Sequence, residues 1–215
     1  MAKSAGNEHF ATPVSQADSP SIPNPNRERV TLSLSQSHGK LRTGDVLLYR
    51  PGPWNLVGRV IAAMGRGQYS HAALLDCDRG GALVLEVKSH GGGQESYLAD
   101  QVRRWPGRID LYRVPVREQY YRRLAVYRMR RFIGCEYGWW SIVRVALRHM
   151  PLVRLFMPPL PDFEQDKFPP FCSESVSLAM QAGALDPVPN LAPRLTEPDD
   201  LSRSHALEYQ GTLFP

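Results

Sequence analysis

The sequence contains few cysteines, and they show none of the spacings that cysteine-based scaffolds use. Only Cys77, Cys135 and Cys172 occur in 215 residues, and no two of them form a Cys-x-x-Cys pair. The thiol-pair signatures of zinc sites and thioredoxin-like redox centres are therefore absent. An odd and sparse set of cysteines also argues against a disulfide scaffold and favours a reducing compartment.

Long apolar runs are missing as well. The N-terminal segment is polar and lacks the apolar core of a secretory signal peptide. The most apolar stretch, Trp139 to Met157, is interrupted by Arg144, Arg148 and Arg154, and charges at this density are costly in a bilayer. We therefore expect a cytoplasmic protein, with export by a non-classical route or in a phage particle left open.

Charge is unevenly distributed along the chain. The net charge is +5, yet the segment from Arg103 to Arg154 holds thirteen arginines, no lysine and three acidic residues. Two helices with solvated arginine faces would explain this, and we favour that interpretation. An anionic partner such as a membrane surface or a cell-wall polymer is the alternative. No nucleic-acid partner is expected, because no motif of interleaved aromatic and basic residues accompanies the charge.

Composition divides the chain into a tail and one domain. Residues 1–40 are rich in Ser, Pro, Asn and Gln, which predicts a disordered or loosely docked tail. Residues 41–215 are long enough for a single folded domain. Their hydrophobic patterns predict strands near residues 46–49, 70–75, 82–87 and 108–114, and helices near 54–64, 95–104, 118–133, 139–150 and 172–182. Strands and helices are segregated, which favours an α+β fold.

Cys172 is the candidate nucleophile. It follows Pro169-Pro170-Phe171 at the predicted start of a helix, where unpaired N–H groups and the helix dipole favour a thiolate. A lone cysteine is more often an inert, buried residue. The polar neighbours that follow it, Ser173-Glu174-Ser175, argue against a packing role alone.

His71 and Glu86 are the candidate partners of this thiol. A thiolate nucleophile needs a base, usually a histidine that a third group orients. His71 interrupts an apolar strand, and Glu86 interrupts the next one. A hairpin turn centred between Asp78 and Arg79 would place the two side chains directly opposite each other on one face. A one-residue slip in register would separate them, and the alternative is that both lie exposed on an outer face.

Two other motifs add no candidate catalytic residues. His90-Gly91-Gly92-Gly93 is similar to the oxyanion motif of esterases, but the Gly-x-Ser-x-Gly nucleophile elbow that such a motif requires is absent. We expect a flexible loop at the rim of the site. Cys77 and Cys135 fit no zinc spacing, so neither a metal nor an organic cofactor is expected.

Five segments together resemble the permuted papain-like (NlpC-type) thiol hydrolases, especially the YiiX/YaeF-like amidases. More distantly they resemble the lecithin:retinol acyltransferase-like proteins. The resemblance covers roughly residues 41–204, and histidine precedes cysteine, as in the circularly permuted members. The segments are Gly44-Asp45-Val46-Leu47-Leu48, Tyr69-Ser70-His71-Ala72-Ala73, Leu85-Glu86, Gly134-Cys135-Glu136-Tyr137-Gly138 and Phe171-Cys172-Ser173-Glu174-Ser175-Val176.

The resemblance implies a fold and a set of residue roles. The fold would be a circularly permuted papain-like domain, in which a small antiparallel sheet or partial barrel packs against helices. Cys172 would be the nucleophile, His71 the base and Glu86 the residue that orients it. Residues expected to contact substrate are Tyr137, Tyr49 and Ser70.

The implied reaction is cysteine-dependent hydrolysis of an amide bond, in a cell-wall-type peptide or an N-acyl compound, through a thioester. Two alternatives stay open: a lipid acyl hydrolase or acyltransferase, and a binding module without catalysis. The basic insert between Tyr137 and Cys172 departs from the family pattern. It could form a lid or a membrane-facing element whose Arg144 and Arg148 meet an anionic surface.

Overall fold

The computed structural model describes residues 31–33, 39–65, 67–115, 119–139 and 169–215. Several predicted features lie outside the described residues. They are nearly all of the N-terminal tail, the helix expected after Trp139, most of the proline-rich loop before Pro170, and the insert with Arg144 and Arg148.

Seven strands and five α-helices are found in the described part of the chain. The strands are β1 (Thr31–Ser33), β2 (Val46–Arg50), β3 (His71–Asp76), β4 (Leu83–Lys88), β5 (Gly92–Tyr97), β6 (Arg108–Arg113) and β7 (Glu208–Phe214). The helices are α1 (Leu56–Met64), α2 (Leu98–Arg104), α3 (Gln119–Arg130), α4 (Cys172–Ala182) and α5 (Pro198–Arg203), and a short 3-10 helix covers Pro193–Leu195. Among these described helices, none is long and apolar enough to cross a membrane.

The strands form one sheet in the order β1-β7-β6-β2-β3-β4-β5. Neighbouring strands are antiparallel, except that β1 and β7 are parallel. Strand β2 lies in the middle between β6 and β3, so its apolar run Val46–Tyr49 is buried on both faces. The mixed α+β class predicted from the sequence is confirmed.

Each face of the sheet has its own apolar cluster. Helices α3 and α4 cover one face, where Met129 and Val176 pack with Leu48 of β2. Helix α2 covers the other face, where Leu98 packs with Leu47. Because side chains alternate along a strand, His71 is in phase with Ala73 and Leu75 of the second cluster, and Glu86 is in phase with Val84. Both residues therefore lie on the face that α2 covers.

The strongly patterned elements form close to where the sequence predicts them. The apolar runs that become β2, β3, β4 and β6, and the helical patterns that become α1, α3 and α4, all match to within three residues. Helix α4 ends at Ala182, with Gly183 as its C-cap, and Pro198 lies in the first turn of α5. Periodicity over five or more residues was sufficient evidence in these cases.

The weaker strands were not predicted. The helix expected from Glu95 begins only at Leu98, because Gly92–Tyr97 forms β5. Thr31–Ser33 belongs to the expected tail but pairs with the C-terminal strand β7, and the sequence left β7 unassigned. These strands lie toward the two edges of the sheet. A short or glycine-rich segment has little intrinsic preference for a strand, so it becomes one only because a neighbouring strand pairs with it.

The sequence pattern of helix α3 predicts a buried face that includes Tyr121, Ala125, Met129 and Ile133 and leaves out Arg122. Ala125 and Met129 are buried as predicted, but three other residues differ from this pattern. Arg122, expected to lie away from the core, is 5% exposed, and its Nη2 donates to the backbone oxygen of Val114 at 2.7 Å. Tyr121 and Ile133, expected to be buried, are 37% and 41% exposed. A buried guanidinium is tolerated here because it donates to a buried carbonyl.

Candidate active site

The β3–β4 hairpin brings His71 and Glu86 together in a register that differs from the predicted one. Leu74 pairs with Leu85 and Leu75 with Val84, so Glu86 continues opposite Ala73 and not opposite His71. The prediction of direct opposition is therefore wrong by two residues, because the turn extends through Gly80, which has a positive φ of 75°. A shift of two keeps every side chain on its face, so the pair meets diagonally.

A hydrogen bond joins the imidazole to the carboxylate. The distance from His71 Nε2 to Glu86 Oε2 is 2.8 Å, and Glu86 is 1% exposed. Since Nε2 faces Glu86, Nδ1 is the ring nitrogen left for the hydrogen bond that His71 makes with Cys172. The carboxylate thus fixes both the tautomer and the orientation of the ring.

Cys172 reaches this imidazole from the first turn of α4. The helix packs on the opposite face of the sheet, and its N-terminus extends to the start of β3. Burial would raise the pKa of the thiol. The hydrogen bond and charge of His71, together with the N–H groups of Ala72 and Ser173, outweigh burial and lower the pKa.

The imidazole is shifted in the complementary direction. Burial alone would lower the pKa of His71, but its hydrogen bonds to Cys172 and to Glu86 raise the pKa to about 9. A lowered thiol pKa and a raised imidazole pKa favour proton transfer from sulfur to nitrogen. The two shifts together favour a thiolate–imidazolium pair.

The second oxygen of Glu86 is also occupied, by groups that the sequence did not identify. Lys88 Nζ lies 2.6 Å from Oε1, and Gln101 Nε2 of α2 donates to the same oxygen. The Gln101 amide is itself held by a 2.9 Å hydrogen bond to Ser96 Oγ. Burial would raise the pKa of Glu86, yet the contacts with His71 and Lys88 lower it. Glu86 is thus held as an anion.

Only the start of the His90–Gly93 segment, His90 and Gly91, lies in a turn, and the rest of the glycine run has a structural role. Gly92 and Gly93 begin β5, and the Gly93 N–H donates to the Cys135 carbonyl at 2.9 Å. In return the Gly134 N–H donates to the Gly93 carbonyl at 2.8 Å. A Cβ at Gly93 would overlap the carbonyl oxygen of Phe132. Glycine therefore permits the chain that leads to Tyr137 to lie against β5.

Tyr137 lies beside the thiol. The next residue, Gly138, donates its N–H to the Pro170 carbonyl at 3.2 Å, which ties this segment to the chain just before α4. The Tyr137 hydroxyl makes a hydrogen bond with Cys172. Burial and the charges of Cys172 and Glu174 raise the pKa of Tyr137 above its usual value, so the phenol keeps its proton and acts as a donor.

The other two expected substrate contacts are placed differently. Tyr49 has no exposed surface, and its ring centroid lies 5.1 Å from that of His71. Ser70 is also buried, and its hydroxyl donates to the Tyr49 carbonyl at 3.4 Å. Both side chains thus line the interior beside His71, and their contact with substrate stays a prediction. The Tyr49 ring packs against the imidazole of His71, because the two residues are paired directly across β2 and β3.

Two carboxylates hold the backbone on either side of the site. Glu174, in the first turn of α4, accepts the N–H of Phe171 at 3.3 Å and so fixes the residue before Cys172. Asp199, in the first turn of α5, accepts the N–H of Gln68 at 2.8 Å and that of Tyr69 at 3.1 Å. The chain entering His71 and the chain entering Cys172 are both anchored in this way.

No family model and no curated protein matches this sequence. Among solved structures, the metalloprotein YiiX from Escherichia coli O157:H7 is similar, with a TM-score of 0.58 and 14% sequence identity. The match covers 81% of this chain and 98% of the YiiX chain. At this identity the similarity concerns the fold alone. The chain has a YiiX-like fold of mixed α and β structure.

Proposed function

We propose that this protein is a cysteine-dependent hydrolase that cleaves an amide bond through a thioester intermediate. The observation that carries the proposal is one continuous line of contacts, from the Cys172 thiol through the imidazole of His71 to the buried carboxylate of Glu86. A packing cysteine needs none of these partners. A nucleophilic cysteine needs a base, and the base needs a group that orients it.

Acylation would begin with the proton of Cys172 resting on His71. The thiolate attacks the substrate carbonyl carbon, a carbon–sulfur bond forms, and negative charge moves to the carbonyl oxygen. In this proposal the Cys172 N–H, in the first turn of α4, and the Tyr137 hydroxyl donate hydrogen bonds to this charge. The imidazolium then gives its proton to the amide nitrogen, the carbon–nitrogen bond breaks, and the amine leaves.

Deacylation uses the same residues in the reverse roles. The now neutral His71 takes a proton from water, and the oxygen attacks the thioester carbon. The carbon–sulfur bond breaks, the carboxylic acid leaves, and the thiolate–imidazolium pair is restored. An alcohol or amine in place of water would give acyl transfer by the same steps, so the site chemistry accommodates either outcome.

A metal ion does not fit the described residues. The structurally similar YiiX is described as a metalloprotein. Across the part of the chain that the structure describes, no three His, Cys, Asp or Glu side chains are grouped so that they could hold a metal ion. The steps above use protein groups alone.

The histidine-before-cysteine order and the YiiX-like fold together support placing this chain among the circularly permuted papain-like enzymes. In that arrangement the base comes from a strand near the beginning of the domain, and the nucleophile comes from a later helix. His71 opens β3, and Cys172 opens α4. Within this proposal, cell-wall-type peptides and N-acyl compounds are the substrate classes to test first.

The proposal can be tested with a panel of acyl-amides, acyl-esters and muropeptides. We expect wild-type protein to hydrolyse at least one amide class, the Cys172→Ala variant to lose the activity, and the matched Cys77→Ala variant to keep it. Preferred turnover of esters or transfer to an added acceptor would indicate the lipid acyl alternative. Binding of a panel member by wild type without any turnover would indicate a binding module and overturn the proposal.

A further inference from the structure

The carboxylate of Glu86 is shared between two cationic groups. Oε2 faces the imidazole of His71, and Oε1 lies 2.6 Å from the ammonium of Lys88. Glu86 and Lys88 are two residues apart on β4, so both side chains lie on the face that carries His71. The residue opposite Lys88 on β5 is Gly92, which has no side chain to compete for that space.

The contact between Lys88 and Glu86 affects how strongly His71 holds its proton. An anion beside an imidazolium stabilises the charged ring, and a second cation on the same anion weakens that stabilisation. The Lys88 side chain is 30% exposed and that of Glu86 is fully buried. The interaction therefore lies in a partly desolvated setting, where charges act on one another more strongly than in water.

The remaining groups that face Glu86 are neutral. Tyr49 of β2 is buried, and burial followed by the charge of Glu86 raises its pKa, so its phenol keeps its proton. Gln94 of β5 and Gln101 of α2 contribute amides to Oε1. Cys172 makes its hydrogen bond with the imidazole of His71, and Tyr137 makes its hydrogen bond with Cys172. Among the described residues, Lys88 is the cation other than His71 that contacts this carboxylate.

We propose that Lys88 is a positioning residue that, together with Gln101, sets how strongly His71 holds the proton it must deliver to the leaving group. The ammonium keeps Glu86 ionised and neutralises part of its charge, while the Gln101 amide fixes the direction of the carboxylate. This inference deepens the proposed hydrolase function and rests on it. The sequence identified neither Lys88 nor Gln101.

The test is a titration of His71 in protein labelled with ¹⁵N-histidine, in which the His71→Asn variant assigns the signal. We expect Lys88→Met to raise the pKa of His71 by about half a unit to one unit, because the carboxylate loses its second cation. Lys88→Arg keeps the charge and should leave the pKa within about 0.2 units of wild type. Lys40→Met, which removes a lysine outside this network, should also match wild type.

An unchanged or lowered pKa of His71 in folded Lys88→Met would overturn the assignment. If that variant does not fold, Lys88→Gln provides the same loss of charge with a polar side chain, and the same criterion applies. Alkylation of Cys172 measured on the same samples separates this inference from the proposed function. A shifted His71 with an unreactive Cys172 keeps the role of Lys88 and refutes thiol catalysis.

Discussion

Glu86 lies diagonally across the β3–β4 hairpin from His71, and its Oε2 is nevertheless 2.8 Å from the imidazole Nε2. A glutamate side chain is long enough to span this diagonal, and the buried position leaves the carboxylate no solvent to turn toward. The pair therefore behaves as one acid–base unit. Its chemistry can be tested without knowledge of the substrate.

Replacement of Glu86 by Gln should leave the fold intact and reduce turnover. The amide can still accept or donate a hydrogen bond, but it no longer stabilises the imidazolium. We expect a loss of activity of about 10-fold to 10⁴-fold. Steady-state rates on any substrate found in the panel would measure this effect. Asp100→Asn, which removes a half-exposed carboxylate of α2, is the matched control, and a wild-type rate in Glu86→Gln would show that Glu86 does not orient His71.

The pH dependence of turnover should follow the two shifts at the site. The pKa of Cys172 is lowered, so the thiolate persists as pH falls below the range of ordinary thiols. The pKa of His71 is about 9, so the imidazolium that protonates the leaving group is lost as pH rises through that value. We expect a bell-shaped rate profile that falls on the alkaline side near pH 9. A rate that keeps rising well above that pH would contradict a protonated His71 as the acid.

Glycine at position 93 should be required for stability. Because a Cβ there would overlap the carbonyl oxygen of Phe132, Gly93→Ala should force β5 away from the chain that leads to Tyr137. We expect the free energy of unfolding to fall by about 2 to 4 kcal/mol in denaturant titrations. Gly39→Ala is the control, since a Cβ at Gly39 meets no atom within 4 Å. Equal stability of the two variants would mean that β5 does not approach this chain so closely.

Glu174 should make the stability of the protein depend on pH. Burial raises the pKa of this carboxyl from 4.5 to about 7, although the Phe171 N–H and Arg194 oppose the shift. The protonated form is thus favoured by folding, and its contribution to stability is lost as pH rises from about 4.5 to about 7. Between about pH 4.5 and about pH 7, the free energy of unfolding of Glu174→Gln should therefore rise relative to that of wild type by on the order of 1 to 3 kcal/mol. A stability difference that stays constant with pH would contradict a buried, protonated Glu174.

Much of the site could be anticipated from the sequence, for reasons that involve only short segments. His71 and Glu86 each interrupt an apolar run, and a strand period of two places both on one face even when the register is wrong by two residues. Cys172 follows two prolines at the start of a helical pattern. These inferences need local periodicity and little else.

The contacts that depend on tertiary packing could not be anticipated. Gln101 reaches Glu86 from a helix that begins after an unpredicted strand, and no local pattern marks it. Gly93 gains its role only when residues 132–135 lie against it. The sequence pattern predicts a surface position for Arg122, but the residue is buried, and its guanidinium donates a hydrogen bond to the Val114 carbonyl. In each case the partner is distant along the chain or lies on another element.

Cys172 should be an activated thiol, and alkylation by iodoacetamide measures that activation without a substrate. Burial and nearby acidic groups raise the pKa of Cys77, and burial raises the pKa of Cys135. The alkylation rate of each cysteine is measured by mass spectrometry at about pH 6 and at about pH 8.5. For each cysteine, the ratio of the two rates does not depend on how accessible the sulfur is to the reagent. His71→Ala serves as the control that should return Cys172 to ordinary thiol behaviour.

We expect Cys172 to react fastest of the three cysteines at the lower pH and to show the smallest fall in alkylation rate from the higher pH to the lower. The rate of Cys172 should then drop at the lower pH in His71→Ala. If Cys172 is instead the slowest of the three and shows the pH dependence of an ordinary thiol with His71 intact, the site is not that of a cysteine-dependent hydrolase.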